Sequence, residues 1–222
     1  MEFGAEAENG KKRILDQNDP DYRTQSPGVG PWEGELPRDA RYDRQLLREG
    51  DRRNVVDKYR YWTVEAIKAD LDLSRSALHI AIENLEHDLN IGSIVRTGNA
   101  FNVGGAHIVG RHKWNRRGAM VTDRYMHVYH HPGPEDFVRW AHENGYTPVA
   151  VDNMDGSVQM EHTQLPEKCV LVFGQESKGI SPGLLARCEK AVYIPQFGST
   201  RSMNVAAAAA IAIHWWAYRH QM

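Results

Sequence analysis

The stretch Val170-Leu171-Val172-Phe173-Gly174-Gln175-Glu176-Ser177-Lys178-Gly179-Ile180-Ser181-Pro182 decides the fold class. It opens on an unbroken apolar run, the pattern of a strand covered on both faces. Glycine, serine and lysine then interrupt the run, and Ser181 before Pro182 reads as a helix cap with proline at the first helical position. The same grammar of strand, loop and helix recurs outward in both directions. Short apolar runs at residues 77–82, 106–109, 148–151 and 191–194 alternate with helical patterns near 91–101, 135–143, 181–188 and 204–219. Such alternation predicts an α/β fold, a mostly parallel sheet flanked by helices. In the last helix Asn204 is placed to cap the amino end, and residues 206–210 are all alanine, as in a tightly packed core helix.

Upstream the character differs. Residues 1–50 are polar, carry Pro20, Pro27, Pro31 and Pro37, and lack periodicity, so they read as an extended N-terminal arm. Tyr22, Val29 and Trp32 leave packing against a folded body as the alternative. Over 51–73, Val55, Val56, Tyr59, Trp62, Val64 and Ile67 recur at helical spacing and predict one amphipathic helix. The remaining 74–222 form the α/β domain.

The chain has 222 residues with 27 Lys+Arg against 29 Asp+Glu, a size suited to one globular domain with an extension. No apolar run is long enough for a transmembrane span, and Met1-Glu2-Phe3-Gly4 does not begin a secretion signal, so the expected location is cytoplasmic, with no membrane. With a formal charge of −2, contact with nucleic acid has to come from a local patch. Cys169 and Cys188 stand apart, and His130-His131 has no further ligand at metal spacing, so no disulfide framework and no metal site are expected. A phosphate-binding P-loop, a dinucleotide fingerprint and a G-x-S-x-G nucleophile elbow are all absent from the sequence.

Three loops at predicted strand ends carry the chemistry, because open α/β sheets bind ligands there. They are Asn90-Ile91-Gly92-Ser93-Ile94-Val95-Arg96-Thr97, Gly174-Gln175-Glu176-Ser177-Lys178-Gly179 and Ile194-Pro195-Gln196-Phe197-Gly198-Ser199-Thr200-Arg201-Ser202-Met203-Asn204-Val205. Each alone is explicable as a capped turn. Together, in this order and spacing, they resemble the signature motifs of the TrmH/SpoU family of the SPOUT superfamily, over about residues 75–219. Gln175, Met203 and Gly98 depart from the residues common there and remove no functional side chain.

The resemblance implies a trefoil knot near the carboxyl end, a homodimer, and transfer of a methyl group from S-adenosylmethionine to a ribose 2′-hydroxyl of tRNA or rRNA. It implicates Phe173, Gly174, Gly179, Ile194, Gln196, Met203 and Val205 in holding the cofactor, and Arg96, Asn90, Glu176, Ser202 and Asn204 in catalysis. Arginine stays charged, so Arg96 is assigned phosphate binding and electrostatic activation, with Asn90 and Glu176 orienting it or the ribose, and Ser202 and Asn204 shaping the pocket. Arg111, Lys113, Arg116, Arg117 and Arg124, with Lys178 and Arg201, form the expected RNA-binding surface, and Trp114 is read as a stacking platform. Two alternatives stand beside this reading: a knotted RNA-binding protein without activity, and a methyltransferase acting away from ribose. Transfer RNA is preferred over ribosomal RNA because residues 1–70 do not resemble the compact α/β module of some ribosomal relatives. RNA binding and coverage of a dimer both stay open as roles for those residues.

Overall fold

The computed structural model describes residues 28–84, 90–176 and 178–222. Residues 1–27 of the expected arm lie outside them. The chain divides into two compact units at Thr63 and Val64.

The described part of the first unit corrects two expectations. Residues 28–50 are folded, and no continuous helix spans 51–73. Helix α1 (Arg44–Glu49) is capped by Asp43, and bridges join Val29 to Asp51 and Tyr42 to Trp62. The unit is organised around Asp51, which is fully buried. Its carboxylate accepts from Arg53 N, Nε and Nη2 at 2.9, 2.9 and 2.7 Å and from Tyr61 N at 2.9 Å. Burial alone raises its pKa, but the bonds from Arg53 and Tyr61 outweigh that and hold the carboxyl below its ordinary value. A scaffold of turns around a buried ion pair leaves no hydrophobic period, which is why the sequence reads as an arm. The expected helix breaks at Tyr61, whose φ of +62° is left-handed, and helix α2 (Val64–Asp72) begins only beyond it.

The second unit is the anticipated α/β domain. Its strands are β1 (His79–Glu83), β2 (Gly105–Val109), β3 (Val128–His131), β4 (Thr147–Val151), β5 (Val158–Gln159), β6 (Cys169–Phe173) and β7 (Lys190–Tyr193). They form one sheet in the order β3-β2-β1-β6-β4-β7-β5, with every pairing parallel. The apolar runs correspond to the five inner strands. Both edge strands escape sequence reading, β3 because it reads Val-Tyr-His-His and β5 because it has two residues.

Alternation along the strands divides the core. Ile80, Ile82, Leu171 and Phe173 pack toward α3 (Asn90–Ala100) and α6 (Val205–His220), whereas Ala81, Val170 and Val172 pack toward α4 (Pro134–Glu143) and α5 (Pro182–Leu185). Helix α6 buries Ala209, Ala212, Ile213, Trp216 and Ala217; of the alanine run 206–210 only Ala209 is buried and Ala207 is exposed, so the run is not the fully packed core segment expected. At Gly98 in α3 an added Cβ would lie 2.8 Å from Ile80 Cδ1, so a larger residue there requires that side chain to shift.

Candidate active site

The loops after β1, β4, β6 and β7 leave the same, carboxyl edge of the parallel sheet. Three of them are tied together by side chains. Glu176 Oε2 accepts from Asn90 Nδ2 at 3.0 Å, from Asn204 Nδ2 at 3.2 Å and from Val205 N at 3.1 Å, and Asn204 Nδ2 also donates to Asn90 Oδ1 at 3.0 Å. Asn204 Oδ1 in turn accepts from Ala206 N and Ala207 N, so Glu176 and Asn204 jointly cap α6. A carboxylate suits that position because the helix amino end carries partial positive charge and unpaired N–H groups. Replacing Glu176 by Ala should lower stability by about 1–2 kcal/mol, and by Gln by less than about 1 kcal/mol, in urea denaturation. Equal stability of all three proteins would show that the tie is energetically idle.

The second loop is a closed turn. Gln175 N donates to Gly179 O at 3.0 Å and Gly179 N to Gln175 O at 2.9 Å. A Cβ on Gly174 would lie 2.0 Å from the Gly179 carbonyl carbon, and Gly179 itself has φ +67°, so both positions require glycine.

A cavity of about 450 Å³ opens against these loops. Gly174, Gly179, Ile194, Gln196, Met203 and Val205, six of the residues expected to hold the cofactor, line it together with Glu176 and Ser202. Phe173 differs: its ring is fully buried in the core, so any part it takes is through its main chain. Sequence reading missed Asp152, Asn153 and Met154, which line the cavity from the loop after β4. Asp152 accepts from Ile180 N at 3.1 Å. The available signal was position alone, directly after the apolar run 148–151. Phe197, passed over inside the third loop, is 95% exposed.

The cavity suits a nucleoside cofactor. Its walls include the apolar Val151, Ile180, Leu185 and Ala208, and its size falls in the ordinary small-molecule range of about 300–1,000 Å³. Main-chain N–H groups of Gln196, Ser202 and Met203 donate no hydrogen bond among the described residues, leaving donors for a ligand. Asp152 and Glu176 supply carboxylates for hydroxyl or cationic groups.

Arg96 is not brought into this network. It is exposed on α3, six residues past Asn90 and so about 120° around the helix, and it makes no hydrogen bond or ion pair among the described residues. Of the two expectations for Asn90 and Glu176, that they orient Arg96 or the ribose, no bond to Arg96 occurs among the described residues, which leaves the ribose.

The basic loop is ordered by 3-10 turns at Arg116–Ala119 and Thr122–Tyr125. Arg111, Lys113, Arg116, Arg117 and Arg124 are exposed, as are Lys178 and Arg201. Trp114 is 7% exposed and packs in the core, which removes it as a stacking platform. The loop lies directly on α3: a Cβ on Gly92 would meet Ala119 N at 2.6 Å, so glycine permits main chain against main chain. Among the described residues no cluster of three or more potential ligands could hold a metal ion.

Glycine-rich turns at the carboxyl ends of parallel strands, tied by amides and a carboxylate beside a nucleoside-sized cavity, define a ligand-binding α/β domain. The chain belongs to the SpoU rRNA Methylase family, whose model matches residues 77–214. It is 28% identical over 155 residues to a tRNA (guanosine(18)-2'-O)-methyltransferase of Saccharomyces cerevisiae, a match covering 67% of this chain and 11% of the yeast protein. It is also 28% identical over 144 residues to the Thermus thermophilus protein of that name, covering 61% of this chain and 72% of the relative. Among solved structures, an AdoMet-bound rRNA methyltransferase from Sinorhizobium meliloti is 26% identical with a TM-score of 0.59, covering 70% of this chain and 60% of that one. The A. aeolicus TrmH/SpoU tRNA modifying enzyme is 23% identical with a TM-score of 0.61, covering 71% and 82%.

Proposed function

We propose that the protein is an S-adenosylmethionine-dependent methyltransferase acting on a ribose 2′-hydroxyl of RNA, with transfer RNA as substrate and a homodimer as the working form. The observation that carries this reading is the joining of Asn90, Glu176 and Asn204, one from each family motif, where Glu176 and Ser202 line a nucleoside-sized cavity. Transfer RNA is favoured by the yeast and Thermus relatives. No helix among the described residues is long and apolar enough to cross a membrane.

S-adenosylmethionine supplies, when bound, a methyl group activated by its sulfonium charge. The main chain at Phe173, Gly174, Gly179, Ile194, Gln196, Met203 and Val205 would hold it. Arg96 binds the RNA phosphate and stabilises negative charge developing on the 2′-oxygen; it does not act as a base, because guanidinium stays protonated. Asn90, Glu176 and Asn204 hold the three loops in register, and Ser202 shapes the cavity. Arg111, Lys113, Arg116, Arg117, Arg124, Lys178 and Arg201 attract the phosphate backbone, and the exposed ring of Phe197 takes over the stacking role that Trp114 loses. Support for the dimer comes from α6, which exposes Ala207, Ile211, His214 and Tyr218 at spacings of three and four, a partly apolar stripe suited to a second copy. The knot implied by the family is supported by the order of the sheet, in which β4 separates β6 from β7.

The test is incubation with isotopically labelled S-adenosylmethionine and unmodified transfer and ribosomal RNAs, followed by nuclease digestion and nucleoside mass spectrometry. Labelled 2′-O-methylnucleoside in transfer RNA is expected. Label on a base overturns the ribose assignment, and absence of both label and cofactor binding favours an inactive RNA-binding protein.

A further inference from the structure

The first unit holds a second cavity, of about 410 Å³, built from its own residues. Trp32, Tyr42 and Tyr61 line it, with Trp62, Lys58 and Arg60. Trp32 meets Tyr42 edge-to-face with ring centroids 5.9 Å apart, and Tyr61 likewise at 5.5 Å, so aromatic surfaces at steep angles bound one space.

The cavity is a constructed one. Tyr61 keeps its left-handed backbone because its N–H donates to the buried Asp51, its carbonyl accepts from Asp43 N at 2.7 Å, and its hydroxyl donates to Gly30 O at 2.6 Å. A bulky residue at positive φ is costly and persists where the surroundings over-determine it, a pattern common at ligand clamps. Arg60 is pinned through Nη1 to Arg53 O at 2.7 Å, yet its buried Nε has no hydrogen-bond partner and lies 3.6 Å from Asp57. Its guanidinium is thus held in place, ion-paired with Asp57, among the residues that line the aromatic space.

Charge decides between the two ligand classes that aromatic cavities take. A quaternary ammonium group on a peptide would need a lining without cations. Here the lining carries two cations, Lys58, whose Nζ lies 5.2 Å from the Tyr59 ring centroid, and Arg60, against the one carboxylate Asp57, a net positive charge that disfavours a cationic ligand. Planar rings with cations beside them fit a flat base carrying a phosphate.

We propose that this pocket binds an unpaired nucleobase of RNA with its phosphate, as a contact separate from the methyl-transfer site. The choice of RNA as the polymer rests on the methyltransferase reading above.

The experiment uses the full chain and an unmodified transfer RNA, comparing wild type with Trp32→Leu, Trp32→Phe and Tyr42→Leu. Circular dichroism and melting verify folding, and Tyr42→Leu stands in if Trp32→Leu does not fold. The leucine variants are expected to weaken RNA binding about tenfold with S-adenosylmethionine affinity retained, and Trp32→Phe to recover most of the loss. A single-stranded oligoribonucleotide carrying 5-bromouridine should photo-crosslink to Trp32, Tyr42 or Tyr61, mapped by mass spectrometry. Unchanged RNA affinity in a folded leucine variant, crosslinks only in residues 64–222, or preferential binding of a trimethyllysine peptide would each overturn the proposal. Methyl transfer is read on the same wild-type preparation. Transfer with RNA affinity indifferent to Trp32 and Tyr42 overturns the pocket and leaves the activity standing. Absence of both transfer and S-adenosylmethionine binding, with RNA affinity lost in the leucine variants, supports the pocket and overturns the activity.

Discussion

Arg96→Ala is expected to lower methyl transfer by about 10²–10³-fold while cofactor affinity is retained, the effect of removing one preorganised group that stabilises developing oxyanion charge. Arg96 is not among the residues lining the cavity, so its loss leaves the cofactor's walls intact. The measurement is single-turnover transfer at saturating cofactor, beside calorimetric titration of S-adenosylmethionine. Full turnover in the variant would remove Arg96 from the reaction. Arg96 is exposed and makes no bond to Asn90, Glu176 or Asn204 among the described residues, so in the dimer proposed above it is free of that network and we propose that it acts in the site of the other subunit. Mixing Arg96→Ala with Asn204→Ala subunits should then restore about one quarter of wild-type activity, because half the dimers are mixed and each assembles one intact site. No restoration, once subunit exchange is shown, would place Arg96 in its own subunit's site.

A loss of stability of about 4 kcal/mol is expected between pH 7 and pH 5, from histidines the proposed reaction does not use. His79, His107 and His131 lie on the α4 side of β1, β2 and β3 and form a buried chain, with His79 Nδ1 2.9 Å from His107 Nε2 and His107 Nδ1 2.8 Å from His131 Nε2. Tyr129 stacks on His107 with ring centroids 4.8 Å apart, and Trp140 lies 4.1 Å from it. Burial, aided by neighbouring positive charge, pushes His79 down to about 4 and His107 down to about 2, and burial lowers His131 as well. Above pH 6.5 folded and unfolded chains are both neutral at these positions. As pH falls below that value the unfolded chain takes up protons that the folded chain refuses, so stability declines toward the folded pKa. His79 and His107 each contribute about 2 kcal/mol by pH 5. Asp39, Asp51 and Asp72 have depressed pKa values, so their contributions are lost only below about pH 4 and leave this window clear. Urea denaturation at both pH values checks the expectation. His107→Gln, which offers a donor and an acceptor without titrating, should remove about half the pH dependence. A slope unchanged by that substitution would assign the acid sensitivity elsewhere.

Legibility varied with the source of each element's stability. The inner strands were readable because burial on both faces leaves an unbroken apolar run, as at 170–173. The edge strand β3 was not, because its pairing rests on main-chain bonds to β2 while its side chains include Tyr129, His130 and His131. Spacing over 51–73 misled for a different reason. Val55, Tyr59 and Trp62 recur as a helix would have them, but Tyr61 N bonds to Asp51 and turns the backbone left-handed. Trp114 looked available for stacking beside its cations until the fold placed it in the core.

At the site, the sequence by itself determined the order and spacing of three loops, and through them the family resemblance that implicates Asn90, Arg96, Glu176, Ser202 and Asn204. Main-chain conformation is encoded locally, so the glycines at 174 and 179 and the cap at Asn204 were readable too. Only the tertiary structure decided that Glu176 binds Asn90 and Asn204, that Arg96 stands outside that network, and that Asp152 joins the cavity. It also decided that three histidines distant in sequence share one buried chain, and that Trp32, Tyr42 and Tyr61 enclose a space. The physical reason is that these contacts join residues tens of positions apart, where no local periodicity records the pairing and only the register of the sheet and the closure of the chain bring the groups within hydrogen-bonding reach.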